Sequence, residues 1–342
     1  MHKFLTIVIP TYNREKQLIR LLRSLERQDA VDRYTIVVLD NHSNYDVRGA
    51  LSRFFSGEFL ENIEVYVRPY NSGGDYNISS AFLFAKSDYL WIIGDDDEVL
   101  DGCIGTIEED VRHYPDIPFF KYHNEGHSSF QNDLVINNIK EFQEAYEQRC
   151  FCAGDIIFVS NNVYNLKAAA SYIPSSLYYS YCSIPHALPT LRCLQDEKPF
   201  VWSHRELVRY HSPEGDHWNY VKIATSLSTV LDIHYGSDYA VTKTFFKILS
   251  RHFDPLEFME ECMKVKDKKY ASYVCRKGLS ALFDGRFFYS RYCHFLYSIE
   301  RTAKIKVLSL HRIIVDSIKR KRRRMIDGNG PLYRVYKILF KR

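Results

Sequence analysis

At 342 residues, with 46% apolar and 15% aromatic content that includes 26 tyrosines, the chain carries far too much core-forming material for a disordered protein. It is long enough for a domain of about 220 to 250 residues with a full core, plus an appendage. The net charge of +4 conceals an asymmetry, because residues 301–342 hold 14 Lys or Arg against two Asp, leaving 32 basic and 40 acidic side chains in residues 1–300.

Residues 5–10 are the first β-prone run. Residues 14–28 follow with Leu18, Leu21, Leu22 and Leu25 at the i, i+3, i+4, i+7 spacing of one helical face. Further apolar runs lie at 34–39, 63–68 and 89–93, with a helix expected over 77–86 before the last. Strands apolar on both faces and separated by helices predict a mostly parallel α/β sheet flanked by helices. Ligands of such sheets sit beyond the carboxyl ends of the strands.

What stands at those ends is a coherent set. The first run leads into Pro10, Thr11, Tyr12, Asn13 and Arg14, the second into Asp40, Asn41, His42 and Ser43, and the third into Asn71, Ser72, Gly73, Gly74 and Asp75. The fourth ends in Gly94, Asp95, Asp96 and Asp97. Side chains alternate along an extended chain, so Asp95 and Asp97 share a side while Asp96 points elsewhere. Two hard oxygen ligands there suit Mg²⁺ or Mn²⁺ carrying a diphosphate. An aromatic face, a carboxylate for a ribose or base edge, a Gly pair for close backbone approach and metal ligands make up the inventory of a nucleotide-diphosphate site.

These four motifs, in this order and spacing, resemble the GT-A fold glycosyltransferases of the family 2 type, and most of all its abequosyltransferase-like members from bacterial surface-polysaccharide synthesis. The resemblance covers about residues 4–110 well and 150–220 loosely. It implies that Pro10, Thr11, Tyr12, Asn13, Asp40, Asn71, Gly74, Asp75, Asp95 and Asp96 bind the donor, with Pro10 and Tyr12 lining the base and Asp40 on the base or ribose. It makes Asp97 the first metal ligand and Asp95 the second. It further implies a GT-A domain over 1–220, with 1–110 as the nucleotide-sugar half and 111–220 as the acceptor half. Residues 221–342 then form a helical C-terminal region.

In inverting members an Asp or Glu usually opens a helix some tens of residues after the DxD and deprotonates the acceptor. Here Pro185 and His186 precede the helical stretch 187–194, a departure from that pattern. His186 is therefore the expected base, since imidazole titrates near neutrality, with Asp196 and Glu197 as fallback carboxylates. The β-prone run ending in Arg209, Tyr210 and His211 resembles the family's C-terminal loop, which makes His211 and Arg209 candidates for the metal or diphosphate and His217 a weaker one. Residues 126–147 read as irregular and 154–164 as a strand. Ser160, Asn161 and Asn162 at its end are placed to bind sugar hydroxyls or to form a turn.

The eight cysteines show no zinc-type spacing and read as reduced, mostly buried thiols. No stretch approaches the ~18 apolar residues of a spanning helix, and no signal peptide is evident, so a cytoplasmic-side protein is expected. In the basic tail Val307, Leu310, Ile314 and Ile318 fall at helical spacing, followed by six consecutive Lys or Arg at 319–324. A basic amphipathic segment reads as one that lies on anionic lipid, at the cytoplasmic face of the inner membrane. No nucleic-acid motif accompanies it.

A haloacid dehalogenase phosphatase would carry its DxD after the first strand, whereas three strands precede it here, and a nicotinamide enzyme would need a GxGxxG after a strand, which is missing. The expectation is a metal-dependent transferase, using Mn²⁺ or Mg²⁺, that moves a sugar from a nucleotide-diphosphate donor to a lipid-linked or growing glycan, with inversion. The alternative is a non-catalytic, membrane-associated pseudo-glycosyltransferase scaffold.

Overall fold

The computed structural model describes residues 3–211 apart from 29 and 129, residues 226–233 and 239–253, and a scatter of positions at 222 and between 258 and 282. The chain divides into two units, residues 1–217 with 230–249, and residues 218–229 with 250–342. Of the second unit, Phe258, Cys262, Val274 and Leu282 are buried. The basic tail, His217 and most of the expected C-terminal helical region lie outside the described residues.

The first unit opens with β1 (Leu5–Thr11), α1 (Glu15–Glu26), β2 (Tyr34–Asp40), α2 (Val47–Phe54), α3 (Gly57–Glu61), β3 (Ile63–Val67), α4 (Gly74–Ser79) and β4 (Tyr89–Ile92). Next come β5 (Glu98–Val99), α5 (Cys103–His113), β6 (Phe119–Asn124), β7 (Leu134–Ile136), α6 (Ile139–Glu147) and α7 (Ala153–Ile157). The unit continues with β8 (Asn162–Asn165), α8 (Ile173–Tyr178), α9 (Leu188–Gln195) and β9 (Phe200–Arg209), and a helix spans Tyr239–Leu249. One sheet runs through it in the order β3-β2-β1-β4-β8-β6-β9-β5, with β7 on β9.

Its first half is parallel, as the apolar runs predict, and β1 and β2 are buried almost throughout. The second half is mixed: β8 runs antiparallel to both β4 and β6, while β9 is parallel to β6. Leu18, Leu21, Leu22 and Leu25 of α1 are buried with the sheet residues, the face their spacing sets out.

Three segments differ from the reading by periodicity. The helix expected over 77–86 begins at Gly74 and gives way to a 3-10 turn at Ser80–Phe84, because Gly73 at φ +87° opens it early. Residues 154–164 are helix, 3-10 turn and strand rather than one strand. Asp155 accepts the Cys152 N–H at 2.7 Å and starts α7, whose short apolar run has no period that separates buried helix from strand. Residues 126–147 contain β7 and α6, the latter capped by Asn138 accepting from Lys140 and Glu141 N–H.

The six cysteines among the described residues are free thiols, four of them buried. No helix among the described residues is long and apolar enough to cross a membrane.

Candidate active site

Strand register assembles the site. Thr11 pairs with Asp40, and Val8 with Ile92, so continuing the β1–β4 register brings Asp95 alongside Thr11. Thr11 Oγ1 donates to Asp95 Oδ2 at 2.7 Å. The ends of β1 and β2 are also stitched together: Asn13, in the left-handed region at φ +55°, accepts Asn44 N–H at 2.8 Å and donates its own N–H to Ser43 Oγ at 2.8 Å. Asp40 is buried and accepts Ser43 N–H at 3.0 Å, while Pro10 is partly buried and Tyr12 is 42% exposed.

The 71–77 loop is tied to β2 by amides. Asn41 Nδ2 donates to Asn71 Oδ1 at 2.7 Å, and the same Asn71 oxygen accepts Gly73 N–H at 2.9 Å. Asn77 Nδ2 donates to Leu39 O at 2.9 Å, while Arg68 Nε donates to Asn77 Oδ1 at 2.8 Å. The oxygen of Asn71 thus closes the loop that carries Gly74 and Asp75 into the first turn of α4.

The three aspartates are not equivalent. Arg14 Nη1 lies 2.9 Å from Asp95 Oδ1 and 2.9 Å from Asp96 Oδ2, and Arg20 donates to the Asp96 carbonyl. Burial pushes the Asp95 carboxyl up to about 6, against the pull of Arg14 and Thr11. Asp97, 1% exposed, has no cation beside it: Ser160 Oγ donates to its Oδ2 at 2.5 Å, and its Oδ1 is buried without a hydrogen-bond partner. Burial therefore pushes Asp97 higher, to about 8, with only Ser160 and the His211 N–H opposing and the neighbouring carboxylates adding. Gly94 lets the turn close tightly, because a Cβ there would meet Asp96 Oδ1 at 3.1 Å, Asp97 Oδ2 at 3.3 Å and Ser160 Oγ at 3.5 Å and would press on the two carboxylates.

The C-terminal loop reaches the same place. Glu98 pairs with Arg209 and Val99 with Val208, which delivers His211 next to Asp97, and its ring Nε2 lies 3.2 Å from Glu98 Oε2. Arg209 is instead engaged by Glu125, through contacts of 2.6 and 3.0 Å.

Other expectations need correction. His186 is 3% exposed, its Nε2 donates to Ile157 O at 2.8 Å, and burial followed by the Lys121 charge pushes its pKa down to about 3. A sealed imidazole of that basicity is a poor acceptor for a substrate proton, so it is a core histidine. Asp196 and Glu197 follow the C-terminal end of α9, where Asp196 faces Arg192 at 3.3 Å. Ser160, Asn161 and Asn162 are fully buried and do not face a sugar: Ser160 holds Asp97, and Asn162 Nδ2 donates to Phe158 O and Val159 O at 2.9 Å each.

Sequence reasoning missed Arg14 as the counter-charge, although it directly follows the Pro-Thr-Tyr-Asn run. It also missed Tyr45, whose buried hydroxyl has no hydrogen-bond partner and whose pKa is raised by burial and then by Asp40, Glu15 and Asp95.

Residues 6–168 match the sequence model of the family described as Glycosyl transferase family 2. They form a family 2 glycosyltransferase domain. The domain's chain is 22% identical over 194 residues to abequosyltransferase RfbV of Salmonella typhimurium, covering 53% of this chain and 58% of that protein. It is 26% identical over 104 residues to a Campylobacter jejuni GalNAc(5)-diNAcBac-PP-undecaprenol beta-1,3-glucosyltransferase, covering 30% of this chain and 33% of that one. The chain therefore spans less than two thirds of either curated relative.

Among solved structures, TarS 1-349 of S. aureus in complex with UDP-GlcNAc superimposes with TM-score 0.61 at 14% identity, over 85% of this chain and 88% of TarS. The mannosyltransferase PcManGT of Pyrobaculum calidifontis, in complex with GDP-Man and Mn²⁺, gives TM-score 0.53 at 10% identity over 99% and 84%. The GT-A fold of the glycosyltransferase domain follows from these likenesses.

Proposed function

We propose that this glycosyltransferase moves a sugar from a nucleoside-diphosphate donor to a lipid-linked or growing glycan, with a divalent cation and with inversion at the anomeric carbon. Its place is bacterial surface-polysaccharide synthesis, at the cytoplasmic face of the inner membrane. The observation that carries this reading is the buried, unpartnered Oδ1 of Asp97 beside Asp95 at the carboxyl edge of the parallel strands. The names of the two curated relatives and the sugar nucleotides bound by TarS and PcManGT support it.

The donor set fits Mn²⁺ or Mg²⁺. Among the described residues no three His, Cys, Asp or Glu side chains converge on one point. A Mn²⁺ or Mg²⁺ ion there would take few ligands from the protein and would draw on phosphate and water for the rest, as these ions usually do. Asp97, with Asp95 beside it, would hold the ion, whereas the His211 ring expected as a further ligand is turned to Glu98 and only its backbone N–H meets Asp97. When bound, the ion supplies positive charge to the departing diphosphate.

The rest of the task falls to the chain. Thr11 and Arg14 fix Asp95, Asp40 and Tyr12 address the nucleoside, and Gly73 and Gly74 admit the donor close to the backbone. The acceptor hydroxyl oxygen bonds to the anomeric carbon as the bond to the diphosphate oxygen breaks, and the acceptor proton leaves to a base. The tail binds the membrane by charge, at about 1 kcal/mol per Lys or Arg near an anionic surface.

Chromatography of a panel of UDP-, GDP-, CDP- and TDP-sugars incubated with the protein, Mn²⁺ and polyprenyl-diphosphate glycans tests the reading. One donor should be converted to free nucleoside diphosphate with a glycan gaining a sugar. No conversion or hydrolysis of any donor would favour the scaffold instead.

A further inference from the structure

Asp97 belongs to the nucleotide half of the domain, yet its orientation is set from the other half. Ser160 Oγ accepts the Gly94 N–H at 2.9 Å and lies 2.5 Å from Asp97 Oδ2. A backbone N–H only donates, so the Gly94 contact consumes a lone pair of the hydroxyl and leaves its proton for Asp97 Oδ2. That carboxylate therefore has one oxygen committed to protein and one, Oδ1, left bare.

Ser160 itself is held from three directions. Its carbonyl accepts Trp91 Nε1 at 2.7 Å, which anchors the 159–161 turn on β4. Asn162 Nδ2 closes the turn on Phe158 O and Val159 O, and Asn162 Oδ1 accepts Lys121 Nζ at 2.7 Å. Lys121, Trp91, Ser160 and Asn162 are all fully buried, so no solvent competes for these bonds. The Asp97 N–H donates to Gly94 O at 3.2 Å and closes the acidic turn around the same hydroxyl.

We propose that Ser160 is a positioning residue for the metal–diphosphate site: by occupying Oδ2 of Asp97 it selects Oδ1 as the ligand and aims it at the donor. This rests on the metal-dependent reading above and deepens it. Partners that orient a ligand in this way are typically worth about 10- to 100-fold in metal affinity.

The test is a double-mutant cycle of Ser160→Ala and Asp97→Asn, read as the Kd for Mn²⁺ in the presence of whichever of UDP or GDP the wild type binds, with melting temperature recorded alongside. Ser160→Ala is expected to weaken Mn²⁺ about 10-fold or more while metal-free nucleotide binding is unchanged, Ser160→Thr to restore most of the loss, and Ser160→Ala to add nothing once Asp97 is Asn. Equal Mn²⁺ affinity in wild type and Ser160→Ala, or a loss that persists in full in the Asp97→Asn background, would overturn the proposal. If Ser160→Ala does not fold, Ser160→Cys, close in size and a weak donor, carries the same comparison. A wild type that binds nucleotide with no help from Mn²⁺ overturns the metal reading, and the positioning role with it. Wild-type metal dependence with no Ser160 effect overturns the positioning role alone.

Discussion

Arg14 and Asp95 form an ion pair 2.9 Å long across 81 residues of sequence, joining the chain just past β1 to the chain just past β4. The same guanidinium nitrogen reaches Asp96, so one cation serves two of the three carboxylates and none serves Asp97. Asp97 is thus a buried carboxyl without a counter-charge, which is why its pKa rises to about 8.

Removing that cation should show which carboxylate it protects. Asp95 already sits at about 6, and Arg14 is the largest influence holding it down. In Arg14→Met its pKa rises further, so the Asp95 carboxylate is lost at a higher pH than in the wild type. Asp97, at about 8, sets the first acid limb of Mn²⁺-dependent nucleotide binding in both proteins, and the second, steeper limb is expected to begin about one pH unit higher in Arg14→Met, with binding recovering at pH 8.5. Calorimetry from pH 5.5 to 8.5 checks this, and superimposable profiles would remove Arg14 from the site.

His186 serves as a discriminating control. Its folded pKa of about 3 lies below the unfolded value near 6.5, so the unfolded chain binds the extra proton between those values. Its neutral burial costs nothing above pH 6.5, and stability is lost as pH falls from there toward 3. His186→Gln keeps an N–H for Ile157 O, and its melting temperature should drop less than the wild type's between pH 7 and 4.5, by on the order of 5 °C. Transfer at pH 7.5 should remain within about threefold of wild type, whereas a loss of 10²-fold with normal donor binding would make it the base after all.

The first, parallel half of the sheet was readable because its logic is local. Each strand is an apolar run that ends in the residues it delivers, and the β1–β4 register then fixes Thr11 against Asp95. The second half lacks that property. Residues 154–158 are apolar in a way that fits helix or strand, and the side-chain bond from Asp155 to the Cys152 N–H decides between them. Ser160 could be read as a sugar ligand because nothing in its neighbours shows that Gly94 and Asp97, more than 60 positions earlier, will close on it. His186 stood where a base was wanted, but burial by distant segments is not a property of the nearby sequence.

The tail makes a prediction of its own. Deleting residues 319–342 removes six consecutive basic residues and four further ones. Sedimentation with vesicles containing phosphatidylglycerol should then be lost at physiological salt, where charge acts over only about 8 Å, while turnover of a soluble acceptor continues. Equal sedimentation of the full and shortened chains would contradict membrane attachment through the tail.

On the proposed function, Asp97 joins a metal ion to the donor diphosphate. Titrating UDP, GDP, CDP and TDP into wild type and Asp97→Ala, each with and without Mn²⁺, measures it without requiring an acceptor. The wild type should bind one nucleotide at least about 10-fold tighter with Mn²⁺, and a folded Asp97→Ala protein should show no Mn²⁺ enhancement. Undiminished Mn²⁺ enhancement in Asp97→Ala would contradict that role.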